Sequence, residues 1–332
     1  MHLAVAARTD VGRIRKGNED SLHASANAYR GLFIVADGMG GHAAGEVASE
    51  MAVDMVSHDL SDLNDLDASD AHARVARALR DANRAVYERT RTERDKLGMG
   101  STVSALLLSE TKFVVGHVGD SRIYLVRDGR MSQLTKDHSL VQEQVDAGLL
   151  TPEQARRHPQ SNVITRCIGM ADEIDPDVFD GEARVGDSFL LASDGLTGMV
   201  DDRRIQQLLL SKAKPERIVD ALIQEANVNG GNDNITAVVV RIGETSSTEL
   251  APRTTEVSLK LEVLKGMQMF RYMSYKELVR VSNIAQMIEL ATDQVIFSTG
   301  QPGDAMYVVL SGSVKLRKAD TVVAELARGA HF

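Results

Sequence analysis

STVSALLLSETKFVVGHVGDSRIYLV, residues 101–126, sets three short runs rich in Val, Leu, Ile and Tyr between the breaks SETK and GDS. Runs of strand length separated by polar or Gly-containing turns predict an antiparallel meander. Upstream, residues 43–60 place Val47, Met51 and Met55 at i, i+4 and i+8, which predicts an amphipathic helix. A longer helix is expected from Ser69 to Lys96, with Val75, Leu79, Ala82 and Val86 on its buried stripe. Downstream, a polar, partly helical excursion over about residues 135–165 is a candidate lid or packing element. Two further helices follow Asp194, the second opening with Pro215, and the ITAVVV strand (235–240) closes the domain. Helices and antiparallel hairpins in blocks point to an α+β sandwich.

The apolar runs carry acids at their ends. LFIVA leads into Asp37 (VADGMGG), FVVGHVG into Asp120 (VGDSR) and SFLLAS into Asp194 (ASDG), while Asp233 (GNDN) opens ITAVVV. Glu19 and Asp20 in RKGNED complete a set of six carboxylates. Any one Asp-Gly is a common turn, but strand ends are rigid, and carboxylates repeated there can converge without relying on loops. Such a set suits hard dications, because Mg²⁺ and Mn²⁺ prefer oxygen ligands.

Other chemistries fit less well. The single cysteine, Cys167, is followed six residues later by Glu173, where a cysteine phosphatase requires Arg, so Cys167 reads as a core residue. There is no GxxxxGK[ST] loop and no HExxH. An all-carboxylate cluster points to a binuclear Mg/Mn centre that activates water against a phosphoryl group. Arg15, five residues before Asp20, offers a planar cation able to grip phosphate oxygens in pairs.

The chain has 332 residues, 43% of them hydrophobic, enough for one large and one smaller domain. Its net charge of −9 argues against a nucleic-acid or anionic-membrane partner. Residues 251–332 hold ten Lys/Arg against eight Asp/Glu, so the first 250 residues carry −11 of that total. One cysteine excludes an internal disulfide, no apolar run approaches the ~20 residues of a membrane span, and a cytoplasmic protein is expected. The Ser/Thr/Pro-rich segment after Gly243 reads as a linker. The expected division is therefore a catalytic domain over 1–243, a linker over 244–258 and a second domain over 259–332.

RKGNED, VADGMGGHAAGE, GMGST, GHVGDSRIY, LTKDHSLV, ITRCIG, LLASDGLTG and GNDNITAVVV follow one another over residues 1–243. Together, in this order, they resemble the bacterial branch of the metal-dependent protein phosphatase 2C (PPM) family. The resemblance implies a four-layer αββα sandwich of two antiparallel sheets flanked by helices, with two or three Mn²⁺ or Mg²⁺ ions in a cleft at one end. It implies that Asp37 bridges two metals, that the Gly38 carbonyl binds one, that Asp194 and Asp233 complete the first site, and that Glu19 reaches the second through water. Asp20 matches an acidic partner outside the ligand set. Asp120 matches the aspartate that holds a third metal with Asp194, and Arg15 matches the arginine that binds substrate phosphate. The implied reaction is hydrolysis of phosphoserine and phosphothreonine in proteins, the substrates of a Ser/Thr kinase, without a phosphoenzyme. One departure concerns the proton donor: where eukaryotic members carry His, two residues after the bridging aspartate, this chain has Met39. His42 and a metal-held water are the two candidates.

The tail resembles a second family. VIFSTGQPGDAMYVVLSGSVKL is similar to the early strands of a cyclic-nucleotide-binding β-roll, and LKGMQMFRYMSYKEL to the helix before it. The Gly-Glu and Arg cassette that holds the cyclic phosphate is not in the sequence, so a truncated β-roll without cyclic-nucleotide binding is expected. A reading of another class is a catalytically idle, phosphatase-like regulatory binding protein. Against it, no expected ligand position has been replaced.

Overall fold

The computed structural model of the chain describes residues 2–27, 30–40, 44–243, 256–301, 303, 305–318 and 321–332. They fall into two compact units, 1–248 and 249–332. The expected linker lies almost wholly outside the described residues.

In chain order the first unit contains β1 (His2–Asp10), β2 (Asp20–Ala26), β3 (Gly31–Met39), α1 (Ala44–Asp59), α2 (Ala71–Thr92), β4 (Gly100–Ser101), β5 (Val103–Leu108), β6 (Lys112–Val118), β7 (Arg122–Arg127) and β8 (Arg130–Gln133). Then come α3 (Leu140–Asp146), α4 (Pro152–Arg156), β9 (Asp177–Glu182), β10 (Ser188–Ala192), α5 (Asp194–Thr197), α6 (Asp202–Leu210), α7 (Pro215–Val228) and β11 (Ile235–Gly243). Among the described residues these strands form two antiparallel sheets, one ordered β1-β11-β10-β7-β8 and the other β2-β3-β5-β6-β9, with β4 beside β3.

Side chains alternate between the two faces of each strand. From β3, Leu32, Ile34 and Ala36 meet α1 and α2; from β10 and β11, Leu190, Ala192, Ala237 and Val239 meet α6 and α7. The opposite faces look at each other. Phe113 of β6 and Phe189 of β10 meet edge to face across the two sheets, with ring centroids 5.4 Å apart and both fully buried. Each such ring or Leu contributes about 1.5–3 kcal/mol by leaving water. Strands buried on both faces explain why LFIVA, FLLA and AVVV read as unbroken apolar runs. The order helices, sheet, sheet, helices is the α+β sandwich expected.

Two local expectations change. The meander breaks after β6: β5 and β6 pair, but β7 pairs with β10 in the other sheet. The crossing is the Gly119–Asp120–Ser121 turn, where Gly119 has φ +110° and a Cβ would stand 2.6 Å from the Thr102 side chain. In α1 the fully buried stripe is Ala44, Ala48, Ala52 and Val56, while Val47, Met51 and Met55 pack at its margin. Small residues bring the α1 backbone close to β3, and the larger side chains cover the flank. In α2, Val75, Leu79, Ala82 and Val86 are buried as expected.

The second unit packs α8 (Glu256–Gly266) against α9 (Tyr275–Ile284) through Leu264, Met267 and Leu278, with Leu261, Phe270, Val281 and Val308 around them. A capping box between Ser274 and Glu277 starts α9. β12 (Ser313–Lys318) and β13 (Thr321–Ala327) make a hairpin. Strands were also expected from Val295 onward, yet among the described residues 285–307 none lies in a ladder, and Val295 is 72% exposed. Pairing begins only at the far end of this stretch, where Tyr307 and Phe332 exchange backbone hydrogen bonds and Val308 faces His331 in an isolated antiparallel bridge.

Candidate metal centre

Antiparallel pairing brings the ends of some strands to the same edge as the starts of others. Asp20 opens β2 and Asp37 lies near the end of β3, paired directly in register. In the facing sheet β10 runs into Asp194 while Asp233 precedes β11, its antiparallel neighbour. Asp120 follows β6. The two sheets touch at this edge: Asp20 Oδ2 accepts from Ser193 Oγ at 2.7 Å and from Thr236 Oγ1 at 2.6 Å.

Like charges directly opposite on paired strands repel, and burial removes the water that would screen them. Burial pushes the Asp20 carboxyl up to about 7, against the Thr236 and Ser193 hydrogen bonds and with help from Asp194 and Asp233. Burial, then Asp20, Asp194 and Asp120, holds Asp37 well above the usual carboxylate range. Asp120 is raised by burial and then by Asp194. Asp194 is raised by burial, opposed by its hydrogen bond with Asp37. One oxygen each of Asp20, Asp120 and Asp194 is buried without a hydrogen-bond partner. Unpartnered buried oxygens on mutually repelling carboxylates fit a hard dication. Among the described residues, however, no three such side chains already close around one point as a preformed cage.

The other candidates approach the same edge. The Glu19 N–H donates to Asn234 Oδ1 at 2.7 Å, and its carbonyl accepts from Gly38 N–H at 3.0 Å. A Cβ on Gly38 would stand 2.0 Å from Gly45 O, and one on Gly45 would stand 2.7 Å from Glu19 Oε1. Only glycines allow β3, the start of α1 and Glu19 to come this close. Burial raises the Glu19 carboxyl, offset by Arg15. Arg15, 46% exposed, donates from Nη2 to Asp233 Oδ2 at 2.8 Å, with Nη1 3.7 Å from Glu19 Oε2. Its guanidinium therefore sits beside two of the acids. His42 lies outside the described residues. Cys167 is buried and its thiol is pushed up to about 12 by burial, so it is not a thiolate near neutral pH.

Several residues at this edge were not singled out by pattern. Thr102 Oγ1 accepts from Asp37 N–H at 2.9 Å and lies 2.7 Å from Ser121 Oγ, tying β3 to the Asp120 turn. Asn234 Nδ2 donates to Val11 O and Gly17 O, stapling the loop that carries Arg15 and Glu19. Arg122 forms a paired ion bridge with Asp137 and lowers the cost of ionising Asp120 and Asp194. All lie within the quoted motifs, but a hydroxyl in a strand reads as an ordinary β-former.

A two-sheet α+β sandwich with a carboxylate cluster at one sheet edge defines a metallohydrolase-like architecture. Residues 13–238 match the family model Protein phosphatase 2C, and the chain belongs to that family. The chain is 42% identical over 240 residues to the serine/threonine protein phosphatase PstP of Mycobacterium tuberculosis, a match covering 72% of this chain and 45% of PstP. It thus spans about half the length of that relative. It is 39% identical over 235 residues to the serine/threonine phosphatase stp of Listeria innocua, covering 70% of this chain and 93% of stp. Among solved structures it resembles the catalytic domain of PstP in complex with two manganese ions, with TM-score 0.65 and 40% identity over 73% of this chain and 99% of that one. Among the described residues no helix is long and apolar enough to cross a membrane.

Proposed function

We propose that the chain is a metal-dependent protein serine/threonine phosphatase acting on phosphoserine and phosphothreonine proteins that a Ser/Thr kinase has modified, in the cytoplasm. The observation that carries this reading is the gathering of Asp20, Asp37, Asp120, Asp194 and Asp233 at one edge, with buried oxygens unpartnered and Arg15 beside them. Asp37, Asp194 and Asp233 would hold one Mn²⁺ or Mg²⁺, and the Gly38 carbonyl would bind one of the two ions that Asp37 shares. Asp37 and, through water, Glu19 would hold a second, Asp120 with Asp194 a third, and Asp20 supports them from outside. When bound, such ions supply Lewis acidity and an activated water at neutral pH.

The chain's own residues do the rest. Arg15 binds and orients the phosphate, exchanging its bond to Asp233 for phosphoryl oxygens. Asp20, held by Ser193 and Thr236, fixes the β2 edge against Asp37. Asn234 fixes the loop from which Arg15 reaches. His42 would be this chain's own candidate to return a proton to the leaving serine or threonine oxygen, with a water at the ion site as the other candidate. Residues 259–332 form a cyclic-nucleotide-binding-like domain that modulates activity, a reading supported by the helix pair followed by a hairpin.

Calorimetric titration with Mn²⁺ alongside turnover of a phosphothreonine peptide tests this reading. Binding together with turnover is expected. Binding without turnover would instead support the idle regulatory protein.

A further inference from the structure

The Asp120 turn is gripped from one side by a buried imidazole that belongs to the polar excursion. His138, which opens that excursion, donates its backbone N–H to Gly119 O at 2.8 Å, while its ring Nδ1 lies 3.0 Å from Gly119 N. Both polar groups of the residue before Asp120 are therefore held by one side chain and its own backbone. His138 is 9% exposed, and its ring centroid is 4.8 Å from that of His117, also buried.

The backbone amide can only donate, so Nδ1 accepts its hydrogen bond. Asp177 Oδ2 lies 3.6 Å from Nε2 and its Oδ1 3.9 Å from Arg166 Nη1. Arg166 Nη1 is itself 3.0 Å from Nε2 and donates to Asp175 O, and the Asp177 carboxylate lies beside both nitrogens. The excursion is secured on the same side: Thr165 N–H donates to His138 O at 2.8 Å.

Gly119 needs this grip. Its left-handed φ and the 2.6 Å approach of its Cβ position to Thr102 show a turn pressed tightly against the link between β4 and β5. One of the two Asp120 carboxylate oxygens is buried without a hydrogen-bond partner.

We infer that His138, oriented by Asp177, is a positioning residue: through its two bonds to Gly119 it sets where the Asp120 carboxylate stands beside Asp194. Through it, the excursion after β8 couples to the occupancy of the third cation that Asp120 and Asp194 would hold. The inference rests on the phosphatase reading, because it gives Asp120 a metal-holding role.

Asn and Gln separate the two ends of the ring. In His138→Asn the amide oxygen can stand near Nδ1 and keep the bond to Gly119, losing the contact with Asp177. In His138→Gln the reach is to the Nε2 position instead, and the bond to Gly119 is lost. Mn²⁺ binding is followed by calorimetry on the full chain, with the Mn²⁺ concentration for half-maximal turnover of a phosphothreonine peptide as second readout and thermal melting as the control for folding. His138→Gln and His138→Ala are expected to weaken the Mn²⁺ site of Asp120 and Asp194 and to raise the half-maximal Mn²⁺ concentration by about 10- to 100-fold. His138→Asn should stay much closer to wild type. Asn and Gln variants that melt alike but bind Mn²⁺ as wild type does would overturn the inference while leaving the phosphatase reading standing. Wild-type protein without Mn²⁺-dependent turnover would overturn both.

Discussion

Asp20 and Asp37 face each other in register across β2 and β3, an arrangement that costs free energy unless a cation or a proton offsets it. Burial raises the Asp20 carboxyl from its ordinary value near 3.8 to about 7. A carboxyl raised on folding binds more protons folded than unfolded, so its contribution is full below about pH 4 and is lost as pH rises to about 7. In metal-chelated protein, the stability of wild type relative to Asp20→Asn should fall across that window by up to about 4 kcal/mol. Denaturant unfolding at pH 4, 5.5 and 7 measures it, and a difference flat with pH contradicts it. His117 runs the other way. Burial, then His138, pushes its imidazole down to about 3, so its neutral form supports folding above about 6.5 and that support fades as pH falls towards 3. Relative to His117→Gln, wild type should therefore lose stability on acidification, which the same unfolding series measures. At this scale the acids were legible because each interrupts an apolar run at a turn. Ser193, Thr236, Thr102 and Asn234 were not, because their hydroxyls and amide act on backbone and carboxylate groups far away in the chain.

At the level of elements, the close approach of β3, α1 and the Glu19 loop depends on glycine. Gly38→Ala would drive a methyl group to 2.0 Å from Gly45 O, whereas Gly17 has open space around its Cβ position. Gly38→Ala should therefore destabilise the first unit by about 1–3 kcal/mol or more and Gly17→Ala by little, as thermal melting will show. Asn234→Ala frees the loop over residues 11–19 by removing bonds to Glu19 N–H, Val11 O and Gly17 O. Leaving those groups unpaired costs about 1–3 kcal/mol and should raise KM for phosphopeptide more than it lowers kcat, since Arg15 is then poorly held. Helix positions and the strand runs were readable from periodicity. The α1 contact was not, because alanines carry a weak signal beside methionines. The switch of β7 into the other sheet was hidden for another reason: a three-residue turn looks the same in sequence whether the next strand pairs with its neighbour or crosses over.

For the whole molecule, the first unit holds the site and the second holds two helices and a hairpin with several exposed apolar side chains, among them Ile284, Val295 and Val323. The sandwich could be read because its buried strands are long and apolar. Of the strands expected from Val295 onward, SVKLRK and TVVAEL pair as β12 and β13, while the described residues from 295 to 306 lie in no ladder, since alternation makes a strand only where a neighbour pairs with it. A chain ending at Gly243 is expected to fold and to retain metal-dependent hydrolysis, and comparing its turnover and oligomeric state with those of the full chain tests regulation by the tail. Equal values in both would remove that role.

The most direct test of the central claim is release of phosphate from a phosphothreonine peptide by wild type with Mn²⁺, by wild type with EDTA, and by Asp194→Asn with Mn²⁺. Turnover in the first case, abolished in the second and reduced by at least about 100-fold in the third, is the predicted result. Turnover indifferent to both chelation and the substitution would contradict the account.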